Sequence, residues 1–311
     1  MPTRSILLTL ALIALSAGAG TAAAAPYAEG FRKCQECHEA EVEVWKKTKH
    51  STSFNEIHKK ESATKILAAA GGGASMRQNA TCVMCHYTET KASETAKPQV
   101  ASGPSCESCH GASSEYRDVH NSYGGGITDA SKESPANKAK RVAAATKAGM
   151  VWSFMTYDIA ANCSECHGLA NPKLKGDVLA KMLDAGHPSE PEFELVRYSQ
   201  GTVRHRFYPP NVDKNAEMNP AELSRLFIVG QAAKLISAVT AAGKGGGEKY
   251  AALQKKREAD SRAALQAVAD LPEVKAVLDK PSAEAARKLA DALKGKDLSA
   301  KVKLPAKNTY K

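Results

Sequence analysis

Read for its apolar and polar positions, the chain changes character near residue 211. Apolar residues cluster over Ile6–Leu15, thin into short mixed stretches through the middle, and return as a long run over Leu223–Val239. That run is introduced by Asn219-Pro220-Ala221-Glu222, a helix-capping pattern with proline in the first turn. It breaks at Gly243–Gly247. Helical periodicity resumes over Tyr250–Leu271, rich in charge and alanine, and a further short helix is predicted over Ser282–Leu293. Upstream, Glu39 to His50 is a helix-like stretch. Gly71–Gly73 and Gly124–Gly126 are flexible connections, and Asp129–Lys140 has the composition of a solvated excursion. No strand pattern of weight emerges. The pattern predicts a mainly α chain with much coil.

The first apolar cluster has Arg4 before it and the small run Thr21–Ala25 behind it, ending just before Pro26. A positive start, a short apolar stretch and small residues at the end make residues 1–25 an export signal. No later segment is expected to be long and apolar enough to cross a bilayer, so the mature protein is expected to be soluble and periplasmic, with no stable membrane span.

Composition adds a difficulty. The chain holds only 6 Phe, 2 Trp and 9 Tyr in 311 residues, thin material for a core of that size, so something other than side chains must help to fill the interior. The eight cysteines indicate what. An even count in an exported protein first suggests disulfides, but the spacing overrides that reading. Cys-x-x-Cys-His occurs four times: at Cys34, Cys37 and His38; at Cys82, Cys85 and His86; at Cys106, Cys109 and His110; and at Cys163, Cys166 and His167. Every cysteine is consumed. Two thiols at this spacing add to the two vinyl groups of one haem, and the adjacent histidine then offers its imidazole to the iron. Zinc pairs would leave the histidine after every second cysteine unexplained. The expected cofactor is four covalently bound haem c.

Charge then takes on a different meaning. The formal net charge is +10, but four haems bring propionates that subtract about four charges when oxidised and about eight when reduced. Basic residues such as Arg4, Lys33 and Lys46 are scattered, not gathered into a stripe. Nucleic-acid binding is therefore not expected.

Five histidines lie outside the motifs: His50, His58, His120, His187 and His205. A histidine on the second face of an iron saturates it and suits it to electron transfer. His50 lies too far along a helix from His38 to share its iron, since twelve residues at 1.5 Å each span about 18 Å, so it is assigned to a neighbouring haem. His120, in a loop-like segment after the third motif, and His205, in Arg204-His-Arg-Phe-Tyr-Pro-Pro210, are the other candidate ligands. His187, before Pro188, and His58, in a charged stretch, have the features of ordinary surface histidines.

On these motifs the sequence resembles the cytochrome c-554 family of tetrahaem proteins. The resemblance rests on Arg32-Lys-Cys-Gln-Glu-Cys-His38 running on to Trp45-Lys-Lys-Thr-Lys-His50, on Cys82-Val-Met-Cys-His86, on Gly103-Pro-Ser-Cys-Glu-Ser-Cys-His-Gly111 followed by Tyr116-Arg-Asp-Val-His120, and on the motif ending at His167. It covers residues 28–210 and implies distal ligation by His50, His120 and His205. It also implies a second haem, held by Cys82, Cys85 and His86, that is five-coordinate, with His58 and His187 spare for that face. The expected organisation is a signal over 1–25, a multihaem cytochrome c domain over 26–210 and a C-terminal helical extension over 211–311. The expected function is electron transfer between periplasmic redox proteins. Two alternatives stay open: a redox enzyme acting on a small nitrogen oxide at an open iron, and the electron-donating subunit of a periplasmic molybdenum reductase.

Overall fold

A computed structural model describes residues 25–209 and 211–311. The export-signal reading therefore falls almost wholly outside the described residues. The described chain is mainly α, with short helices joined by coil in its first part and longer helices at its end. In chain order the helices are α1 (Phe31–Gln35), α2 (Glu39–Lys46), α3 (Lys49–Glu56), α4 (Ala63–Ala69), α5 (Ala80–His86), α6 (Cys106–His110), α7 (Arg117–His120), α8 (Pro135–Lys147), α9 (Thr156–His167), α10 (Gly176–Asp184), α11 (Leu195–Ser199), α12 (Pro220–Ala242), α13 (Gly247–Gln266), α14 (Pro272–Asp279) and α15 (Ala283–Ala292).

Three local expectations change. The stretch from Glu39 to His50 is two helices, because Thr48 adopts extended backbone and caps α3 with its side chain, accepting from Ser51 N at 3.3 Å. The supposed excursion contains the start of α8, capped by Ser134 and tied down by an Arg141–Glu133 ion pair at 2.6 Å. A small antiparallel pair also forms, β1 (Thr88–Thr90) with β2 (Gln99–Ser102), in the register Thr88 to Ser102 and Thr90 to Gln99. Strands of three and four residues are too short for alternation to announce them.

The long apolar run is α12, opened by the expected cap. Asn219 Oδ1 accepts from Glu222 N, and Glu222 Oε2 accepts from Asn219 N, both at 2.9 Å. The expectation that no later segment could cross a membrane is corrected here, since α12 is long and apolar enough by length and composition. Its surroundings explain the apolarity, because 67 % of its most apolar stretch is buried inside the protein. It is covered on nearly every side, with Ile228, Val229, Ala232, Leu235 and Ala241 inaccessible or nearly so. It packs against α9, α11, α13 and α15 in one core that also takes in Tyr157, Ala160, Leu195, Val196, Val274 and Leu289. A helix hydrophobic all round is a central helix of its core. At Gly230 a Cβ would lie 2.8 Å from Leu195 Cβ, so the glycine sets how closely α12 approaches α11.

Within this apolar helix Lys234 is 5 % exposed, its ammonium donating to Pro191 O at 2.5 Å. Burial, the main cause, pulls its pKa down to about 8. An unfolded lysine binds its proton up to about pH 10.4, so between those values the unfolded chain holds more protons and stability rises with pH. The cost of burying the charge, on the order of 2 kcal/mol, is thus present at neutral pH and relieved as pH climbs above about 8. Denaturant unfolding of the wild type and Lys234→Met is expected to give stabilities whose difference shifts in favour of the wild type between pH 8 and pH 10. A difference that stays constant over that interval would contradict a buried, depressed lysine.

Candidate haem centres

In a helix, residues i, i+3 and i+4 share a face, so a Cys-x-x-Cys-His helix presents two sulfurs and one imidazole to the same side. The second and fourth motifs are built this way at the C-terminal ends of α5 and α9, and the third makes up the whole of α6. The first straddles a break. Cys34 lies in α1, a turn continues through His38 N to Cys34 O at 2.9 Å, and His38 then opens α2.

The imidazoles meet in four pairs. His38 lies 6.2 Å from His120 between ring centres, His50 lies 6.0 Å from His167, His86 lies 6.0 Å from His187 and His110 lies 6.4 Å from His205. Each pair joins one motif histidine to one histidine from outside the motifs. A metal–imidazole bond is about 2 Å long and a ring nitrogen sits about 1 Å from its ring centre, so two imidazoles facing one metal have centres about 6 Å apart. All four pairs fit a shared iron.

Second partners orient several of these rings. Nδ1 faces a backbone carbonyl in His110 (Val151 O, 2.8 Å), His120 (Arg117 O, 2.5 Å), His187 (Pro188 O, 2.8 Å) and His205 (Val203 O, 2.8 Å). In His167 and His38 it faces a carboxylate, Glu190 at 3.0 Å and Glu41 at 3.5 Å. A ring that donates Nδ1–H in this way keeps Nε2 as its ligand atom. Burial, followed by the neighbouring His167, pulls His50 down to about 4. Burial does the same to His86, with His187, Lys60 and His167 adding to it. Both are therefore neutral imidazoles at neutral pH, the form that binds metal. His38 is shifted the other way, upward, chiefly by its hydrogen bond to Glu41.

Polar latches bring the motifs together. Glu107, inside the third motif and buried, accepts from Glu29 N at 2.8 Å, Gly30 N at 2.7 Å and Ser113 N at 3.0 Å. It thereby holds the residues that lead into α1 against α6. Trp45 donates to Pro104 O at 2.8 Å, and Gly103 packs so closely on the His50 carbonyl that a Cβ there would collide with it. The two stretches that carried the resemblance, around Trp45 and around Gly103, are thus physically interlocked. The C-terminal helices take part as well. From one face of α13, Tyr250 donates to Leu169 O at 3.0 Å and Gln254 to Gly168 O at 2.9 Å, while Arg257 reaches the same Gly168 carbonyl at 3.4 Å. They clamp the turn that directly follows His167, where Leu169 has a positive φ of 50°.

The cysteines of different motifs are also neighbours. Cys34 lies beside Cys106, Cys85 lies beside Cys166, and Cys109 lies near Cys163 and Cys166. The motifs therefore sit in the spatial order first, third, fourth, second. Of the non-motif histidines, His50, His120 and His205 each face a motif histidine. His58 is exposed in the turn Ile57–Lys59. His187, which resembled a surface histidine in the sequence, faces His86. The signal for it was present in Gly186-His187-Pro188 following an amphipathic segment, a helix-ending pattern that fixes the histidine in place.

A mainly α chain whose helices present paired sulfurs and an imidazole on one side, with a second imidazole opposite, has the features of a c-type cytochrome. The family model described as cytochrome c554 and c-prime matches residues 33–111, which hold the first three motifs. Cytochrome c-554 of Nitrosomonas europaea is 31 % identical over 173 residues, covering 52 % of this chain and 66 % of that protein. The match spans just under two thirds of the relative's length. No solved structure matches. Over these residues the chain is similar to the cytochrome c-554 family.

Glu107 gives this arrangement a stability test. Removing it leaves three buried or half-buried N–H groups without their charged acceptor, and a hydrogen bond to a charged group contributes about 1.5–3 kcal/mol. Glu107→Ala is expected to lower the stability of the holoprotein by about 3 kcal/mol in thermal or denaturant unfolding, and Glu107→Gln by less. A loss under about 0.5 kcal/mol, the size of an ordinary surface substitution, would show that the latch is dispensable.

Proposed function

We propose that this chain is a periplasmic electron carrier that binds four haems c covalently and passes electrons between redox proteins. The observation that carries the reading is the pairing of motif histidines with histidines from elsewhere in the chain, at the separation two imidazoles take across one metal. When bound, haem iron supplies a one-electron couple. The chain's part is attachment, ligation and spacing. Cys34 and Cys37, Cys82 and Cys85, Cys106 and Cys109, and Cys163 and Cys166 would hold the four groups. His38, His86, His110 and His167 would provide the near ligands, with His120, His205 and His50 opposite the first, third and fourth.

The order of the centres supports a relay. Cys34 beside Cys106, Cys109 beside Cys163, and Cys85 beside Cys166 give a single row running first, third, fourth, second. The interior members of that row are the third and fourth centres. Redox partners meet through small, charged, transient interfaces.

A pyridine haemochrome assay on acid-acetone-washed holoprotein tests the reading. Four haems per chain are expected, with three in a Cys163→Ser/Cys166→Ser variant. A colour lost to acid acetone, or a wild-type count well below four, would overturn it.

A further inference from the structure

We propose that His187 is the second axial ligand of the haem held by Cys82, Cys85 and His86, which makes that centre six-coordinate in this chain. The inference rests on the four-haem reading above and goes against the open second iron that the family resemblance implied. His187 Nδ1 faces Pro188 O at 2.8 Å, so its Nε2 is the nitrogen available for a metal. Its ring centre is 6.0 Å from that of His86, with 47° between the ring planes. The three pairs expected to ligate irons have separations of 6.0, 6.2 and 6.4 Å. By this measure the second pair cannot be told from the others.

The backbone explains why the histidine stays there. Gly186, with φ of 91°, ends α10, and its N–H donates to Leu183 O at 3.2 Å while His187 N donates to Met182 O at 2.9 Å. These two bonds form a Schellman cap with glycine at the left-handed position, and the following Pro188 restricts the chain further. The helix carrying the cap is anchored next to the second motif, because Met182 shares a core cluster with Cys82, Tyr87 and Ile66. His187 is therefore held by a helix end fixed to the same core as Cys82. His58, the other spare histidine, is exposed and outside the four pairs.

A six-coordinate iron has no open face for a small ligand, so on this reading the second centre relays electrons as the others do and is not a place where nitric oxide or carbon monoxide binds.

The test is electron paramagnetic resonance of the oxidised holoprotein together with carbon monoxide titration of the reduced form. The wild type is expected to have only low-spin ferric signals and to bind essentially no carbon monoxide. His187→Ala is expected to keep all four haems, gain about one high-spin haem per chain and bind about one carbon monoxide, with added imidazole restoring the low-spin state. His58→Ala should match the wild type. A high-spin signal or carbon monoxide binding in the four-haem wild type would overturn the proposal and leave the four-haem reading standing, as would a His187→Ala protein that stays entirely low-spin. A haem count below four would instead strike at the underlying reading. The wild-type measurements decide the matter even if the alanine variant fails to accumulate.

Discussion

Two imidazoles that share a metal must keep their ring centres about 6 Å apart, and this chain brings four pairs of imidazoles to about that separation from positions far apart in sequence. His50 and His167 are separated by more than a hundred residues, as are His86 and His187. Ordinary side-chain packing does not bring histidines together in this way, because a charged or polar ring gains little from facing its like and is costly to bury unsatisfied. Most of the backbone turns and caps in the first part of the chain make sense as means of meeting this separation. Gly186 and Pro188 set His187, Thr48 breaks the chain so that His50 starts a new helix, and Val151 holds His110 by both backbone and ring.

The same constraint divides the labour between the two ends of the molecule. The motif-bearing part has few large apolar side chains and is held by buried polar latches such as Glu107, Thr88 with Ser105, and Asn79 at the start of α5. A buried polar network is stable only when its members are satisfied, and it positions groups more sharply than apolar contact does. The C-terminal helices supply what the first part lacks, a continuous apolar core around α12. They are joined to the motifs directly, through the α13 clamp on Gly168 and Leu169 and through the packing of α12 on α9. Arg257, 1 % exposed, lies at the C-terminal end of α9, where a positive charge complements the helix dipole.

Much of the site could be read from residue types and spacing, because the attachment chemistry is local: Cys-x-x-Cys-His is complete within five residues and needs no tertiary information. The long terminal helices were equally legible, since Asn219 to Glu222 is a local cap and the periodicity behind it is strong. What escaped was whatever depends on long-range contact. His187 looked like a surface residue because its partner is His86, about a hundred residues away, and only the packing of α10 against α4 and α13 brings the two together. The division of Glu39–His50 into two helices escaped because Thr48 acts through its own side-chain cap against a background of good helix formers. The apolar helix α12 met the length of a membrane span because burial on all sides and immersion in lipid select the same composition.

Saturation of the second iron would change what the row of centres can do. A row with one open iron can stop electrons at that point and hand them to a bound small molecule. A row closed at every member passes them only to another protein, and its directionality must come from the order of the centres and from which ends reach the surface. In the proposed row the order first, third, fourth, second puts the first and second centres at its two termini. At the second terminus the half-buried His86 lies near enough to Lys60 for the lysine's charge to act on it. If the proposal holds, the extra histidine bears on more than spin state, because it would turn the second centre from a site of chemistry into an exit for electrons.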